Sequence, residues 1–159
     1  MAWHRLIWSQ FHIPKYSLIA WMAILDRLLT ISRLSSWGIA IANDRCVLRD
    51  PELKPEIIYL TRLYSKPIWL GFLDKCGIQR RVDDWSVEFQ WAIDRLKGRA
   101  LLAVILRIAW SAYMYFIWKE RNNKIYGRQA NTSTAFFSFI AEAVRYRLCG
   151  IKEYSWGAW

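Results

Sequence analysis

Three cysteines, two histidines and one run of alternating cations and aromatics are the side chains here whose types could do chemistry. Cys46, Cys76 and Cys149 are thiols that could ligate a soft metal, and His4 and His12 could add imidazole nitrogens. Their spacing does not suit the task. Structural zinc needs four ligands in a near-tetrahedral shell, and the chain holds no C-x-x-C, C-x-x-H or similar close pair. Trp118, Lys119, Arg121, Lys124, Tyr126 and Arg128 form the second candidate group. Cations interleaved with aromatic rings can track a phosphate backbone while bases stack between them. The plainer alternative is a solvated helix end, with Glu120 and Lys124 as an i, i+4 pair contributing a few tenths of a kcal/mol.

Catalysis finds little support. Asp83 and Asp84 read as a helix start, because Asp is favoured at the N-cap and in the first turn. Neither histidine lies beside a Ser or Cys in a nucleophile-and-base arrangement, and no glycine-rich phosphate loop occurs. The balance of 23 Lys and Arg against 13 Asp and Glu gives +10, which favours polyanionic partners such as RNA, DNA or an acidic membrane face. An odd number of scattered cysteines argues against a disulfide framework, and the first residues show no apolar signal run. Both features predict an intracellular protein, nuclear or cytoplasmic and not secreted.

The elements that must position these residues are helical. Residues 3–11 read as a short helix or extended segment ended by Pro14. From Ser17, taken as an N-cap, Leu18, Trp21, Met22, Leu25, Leu28 and Leu29 mark one helical face. Thr30 opens a short helix stopped by Gly38, and residues 39–55 are punctuated as turns and loop. Further helices are expected over 56–64 and 66–76, the latter closed by Gly77. Another follows Asp83-Asp84 through Trp85, Phe89, Ile93 and Leu96. The longest spans 99–126, and the last runs from Thr132 with Phe137, Ile140, Val144 and Leu148 as its stripe. No alternating strand pattern stands out. The fold class is mainly α: a small irregular helical domain over 1–78, then a helical hairpin or bundle over 79–159.

Residues 101–118 are apolar except for Arg107 and Ser111, and eighteen residues of helix span about 27 Å, close to a bilayer core. A central Arg costs about 2.5–3.5 kcal/mol in a bilayer, which offsets much of what the apolar residues contribute. Basic residues flank both ends (Arg95, Lys97, Arg99; Lys119, Arg121, Lys124), so no orientation signal arises. A buried bundle helix is the favoured reading and a membrane helix the lesser one.

Two ordered sets of residues carry a family resemblance. The first is Trp3-His4-Arg5-Leu6-Ile7-Trp8, Ile13-Pro14-Lys15, Trp21, Asp26-Arg27-Leu28-Leu29-Thr30, Arg33-Leu34, Trp37-Gly38-Ile39, Cys46-Val47-Leu48 and Tyr64-Ser65-Lys66-Pro67-Ile68-Trp69. It resembles the zinc-binding region downstream of the reverse transcriptase in LINE-type (non-LTR) retrotransposon polyproteins of plants. The second, Ile117-Trp118-Lys119-Glu120-Arg121-Asn122-Asn123-Lys124-Ile125-Tyr126, resembles the segment that follows that region, usually before an RNase H domain. In the family a C-x2-C pair and an H-x4-C pair hold zinc. Here only Cys46 stands at a ligand position, while the others carry Arg49, Ile57 and Arg62. Arginine offers no lone pair and isoleucine no donor atom, so no zinc or other cofactor is expected.

The resemblance implies an accessory, non-catalytic fragment or relic of a reverse-transcriptase polyprotein, lacking polymerase and RNase H motifs. RNA or DNA is the expected partner. The second class is a helical module that docks a protein partner or self-associates; membrane association ranks third.

Overall fold

The computed structural model describes residues 2–28, 36–39, 65–125, 128–129 and 131–150, with Lys124 and Ile125 as helical backbone only. Six helices and no strand occur among them: α1 (His4–Ile7), α2 (Pro14–Ile24), α3 (Ser65–Lys75), α4 (Trp85–Arg95), α5 (Leu101–Ile125) and α6 (Ser133–Leu148). The mainly helical class is therefore correct. The helix expected over 56–64, the helix start at Thr30, and Cys46, Arg49, Ile57, Arg62 and Tyr126 lie outside the described residues.

Helix α5 is the axis of the bundle, with α2 and α6 packed along it and α3 against α6. Its residues from Val104 to Met114 are buried almost without interruption, as befits a helix covered on most sides. Leu101–Asn123 is long and apolar enough to cross a membrane, and most of that stretch is buried by the other helices. Aromatic rings dominate the packing. Trp85 and Phe89 of α4 stack on Trp110 with centroids 5.6 and 6.1 Å away, and Trp69 of α3 lies 5.4 Å from Tyr113. Each such side chain contributes roughly 1.5–3 kcal/mol by leaving water, and stacked pairs add to this. The Tyr113 phenol, hydrogen-bonded to Ser65, is held far above its ordinary pKa by burial and stays neutral.

One core joins the two sides of residues 78 and 79: Ile7, Ala20, Trp69 and Phe72 share it with Ile93, Trp110, Phe136 and Ile140. The polar stretch between α3 and α4 is docked onto it. Arg80 pairs with Glu88 at 2.6 Å and lies over the Trp91 ring at 4.4 Å, while the Asp83 amide donates to Glu88 Oε1 at 2.9 Å. Asp84 stands at the N-cap of α4, but its side chain makes no capping bond. Glu88 instead reaches back from the first turn to the amide of the residue before the cap. Thr132, the expected start of the last helix, caps α6 by accepting from the Ala135 amide at 3.2 Å.

Helix α2 departs from the sequence reading. Its N-cap is Ile13, whose carbonyl accepts from the Tyr16 and Ser17 amides, and Pro14 occupies the first turn. Proline is suited to that position because its missing N–H would be unpaired there anyway. Ser17 is not a cap. It is fully buried, and its hydroxyl donates to the Ile7 carbonyl at 2.9 Å, fastening α1 to α2. The buried face accordingly runs through Tyr16, Ile19 and Ala20, leaving Leu18 45% exposed. The helix also ends early. Asp26 adopts φ 54°, and the Arg27 amide returns to the Met22 carbonyl at 2.7 Å, a Schellman-type closure.

Candidate nucleic-acid interface

Among the described residues, the cation–aromatic run expected to meet nucleic acid is split between exposed and buried positions. It lies at the C-terminal end of α5, where residues two apart face opposite sides. Lys119 is exposed, Trp118 is half-buried beside Tyr115 at 6.3 Å, and Arg121 is only 5% exposed. The fold encloses the Arg121 side chain. Arg128 is exposed beyond the helix, the Lys124 side chain is not described, and Tyr126 is outside the described residues. Glu120, expected to pair with Lys124, is 3% exposed and accepts from the Asn131 amide at 2.8 Å and from its side-chain nitrogen at 2.9 Å. That carboxylate fastens the α5–α6 turn.

At the opposite end of α5 the cations gather differently. Arg107, 8% exposed, donates to the Leu96 carbonyl and to the Gly98 carbonyl at 2.7 Å. A guanidinium set against the C-cap carbonyl of α4 satisfies an acceptor the helix cannot pair and complements its dipole, and its bond to Gly98 ties the turn that follows. This explains the charge inside an otherwise apolar helix. Beside it opens a cleft of about 210 Å³ lined by Arg5, Trp8, Ser9, Gln10, Phe11, Lys97, Gly98, Arg99, Val104 and Arg107. Four cations from three separated segments meet there, and among the described residues no acidic side chain lines it. The Lys97 ammonium also reaches Asp94 at 3.1 Å, on the exposed side of the turn. Such a cleft suits a phosphate: a concave wall of cations with polar Ser9 and Gln10 beside them.

The sequence singled out Lys97 and Arg99 as basic flanks of an apolar segment, but did not connect them with Arg5. Their convergence depends on α1 docking at the α4–α5 turn, which no local spacing encodes.

No three side chains among His, Cys, Asp and Glu gather as a metal site among the described residues. Burial lifts the Cys76 thiol to about 11, so the thiolate a metal needs is disfavoured there, and Cys149 stands alone and exposed. His12 Nδ1 lies 2.6 Å from the Ser9 carbonyl, an internal turn contact. Cys46, Arg49, Ile57 and Arg62, where the family resemblance sets the zinc frame, lie outside the described residues. Neither an arginine nor an isoleucine side chain offers a zinc donor.

Comparison with known proteins bears on the segment that contributes Arg5, Trp8, Ser9, Gln10 and Phe11. Residues 1–56 match the family model described as zinc-binding in reverse transcriptase. The match supports a reverse-transcriptase zinc-binding region at this end of the chain. It takes in α1, α2 and Cys46, and ends before Ile57 and Arg62. Helices α3 to α6 lie beyond it. Curated proteins and solved structures gave no match to the chain.

Proposed function

We propose that this chain is a non-catalytic accessory piece of a LINE-type retrotransposon reverse-transcriptase polyprotein, of plant type, that binds RNA or DNA without zinc. The match of residues 1–56 to the reverse-transcriptase zinc-binding family carries the reading. Helices α4 to α6 are then the helical connector, and polymerase and RNase H chemistry belongs to other parts of the polyprotein. The basic cleft supports nucleic-acid binding, because Arg5 from the matched segment meets Lys97 and Arg99 from the connector. The protein acts inside the cell, where its nucleic-acid partner is found.

Titration of a single-stranded oligonucleotide across a range of salt concentrations tests the binding. Three phosphate contacts predict a log–log slope of about −2. Absence of binding at low salt removes the proposal. Metal analysis of purified protein is expected to find well under one equivalent of zinc, and a stoichiometric content contradicts the loss of the site.

A second reading, a helical module for a protein partner, draws on Leu18 and Leu25, both exposed on α2 and seven residues apart. Salt-insensitive self-association would favour it.

A further inference from the structure

A second cleft also borders the α1–α2 loop, and neither the family match nor the sequence motifs assign it a role. Its volume is about 450 Å³, within the range of small-molecule sites and ample for a nucleobase. The loop and the start of α2 supply one wall through His12 and Tyr16; α5 supplies Phe116, and α6 supplies Phe139, Glu142 and Tyr146. The rings form an organised surface. Phe116 and Phe139 stack at 5.4 Å with 30° between planes, and Tyr16 meets Phe116 at 5.6 Å. Tyr146 stands at the rim 83% exposed, a large aromatic presented to solvent.

Its charges differ from those of the basic cleft. Lys15 lies over the Tyr16 and Tyr115 rings at 5.1 and 5.4 Å, and Arg147 lines the wall while its Nε donates to the Phe11 carbonyl at 3.1 Å. Burial, then Tyr115 and Glu142, raise the Tyr16 phenol above its ordinary pKa, keeping that ring neutral. The Glu142 carboxylate beside the rings is an acceptor for the exocyclic amino groups of a base. Phe11 lines the basic cleft and the next residue, His12, lines the aromatic one.

We propose that a single-stranded nucleic acid crosses the α1–α2 loop, with successive backbone phosphates contacted by Arg5, Lys97 and Arg99 and a base of the same strand stacked in the cleft bounded by Phe116, Phe139 and Tyr146. Single strands suit this arrangement because their bases are free to splay and stack on side chains. Duplex stacking would keep the base away from the cleft. The proposal rests on the nucleic-acid reading above and names the site and the strandedness within it.

The test uses the full chain, a fluorescently labelled twelve-residue single strand, the same strand with abasic sites, and a duplex of the same sequence. Tyr146→Ala is expected to weaken the intact strand roughly 5- to 100-fold. It should leave the abasic strand and the salt slope unchanged, and Tyr146→Phe should restore affinity. Arg5→Ala with Lys97→Ala and Arg99→Ala should reduce the salt slope by about 2 for intact and abasic strands alike. Equal affinity of Tyr146→Ala and the parent for the intact strand overturns the base subsite, as does preference for the duplex. Binding that survives both sets of substitutions sinks this inference and spares the proposed function, whereas no binding by the parent sinks both. Tyr146-dependent capture of an acidic aromatic peptide, with no capture of the oligonucleotide, also overturns it.

Discussion

The two ends of α5 carry similar numbers of cations in the sequence and put them to different use. At the N-terminal end, Arg107 turns inward to the Leu96 and Gly98 carbonyls, which leaves Arg5, Lys97 and Arg99 to line an open cleft. At the C-terminal end, Glu120 turns inward to Asn131 and Arg121 is buried with it, while Lys119 and Arg128 stay exposed. A charged side chain recruited to fasten a turn is lost to binding. Counting basic residues along the chain therefore overstates one end and misses the other.

Removing the inward charges should separate fold from function most sharply. Arg107→Ala leaves the Leu96 and Gly98 carbonyls without their charged donor, and we expect a loss of about 3 kcal/mol. In thermal unfolding that is a drop of roughly 6–12 °C for a chain of this size. A loss below 1 kcal/mol would mean that water replaces the guanidinium, and the contrast between the two ends would weaken. Glu120→Ala should cost about 2 kcal/mol by denaturant unfolding, and Glu120→Gln about 1, since the amide keeps one acceptor for Asn131. Equal losses for the two would show that charge rather than hydrogen bonding holds the α5–α6 turn.

The outward cations should behave oppositely. Lys119→Ala is expected to change stability by less than about 0.5 kcal/mol, as is usual for exposed positions away from packing. A larger effect would show the C-terminal end to be structural throughout. A chemical contrast between helix ends completes the set. Cys76 at the close of α3 should resist thiol reagents at pH 8, and Cys149 just after α6 should react readily. Because burial raises the folded-state pKa of Cys76 from 9.0 to about 11, its contribution is complete below pH 9 and is lost as pH rises from 9 to 11. Peptide mapping after alkylation at both pH values reads this directly.

What could be read from the chain alone divides along the same physical line. Helices α3, α4 and α6 were legible because their punctuation is local: Gly77 with φ 73° after α3, the Asp83-Asp84 start of α4, and the Thr132 cap of α6. The start of α2 was misread because Pro14 can end one segment or begin the next, and here it begins one. The role of Ser17 depends on the Ile7 carbonyl, and burial of Arg121 on how α5 sits among its neighbours. Both are tertiary facts. Lys97 and Arg99 could be recognised as basic flanks, yet only the docking of α1 makes them a cleft with Arg5. The resemblance reached the family that residues 1–56 match, while Cys46 lies outside the described residues.

Whether nucleic acid meets the N-terminal rather than the C-terminal end of α5 is decided by one direct comparison. Salt-dependent binding of a single-stranded oligonucleotide would be measured for Arg5→Ala/Lys97→Ala/Arg99→Ala and for Lys119→Ala/Arg128→Ala. The first set is expected to flatten the slope by about 2 and the second to leave it unchanged. A flattened slope in the second set with an unaltered slope in the first would contradict the N-terminal placement.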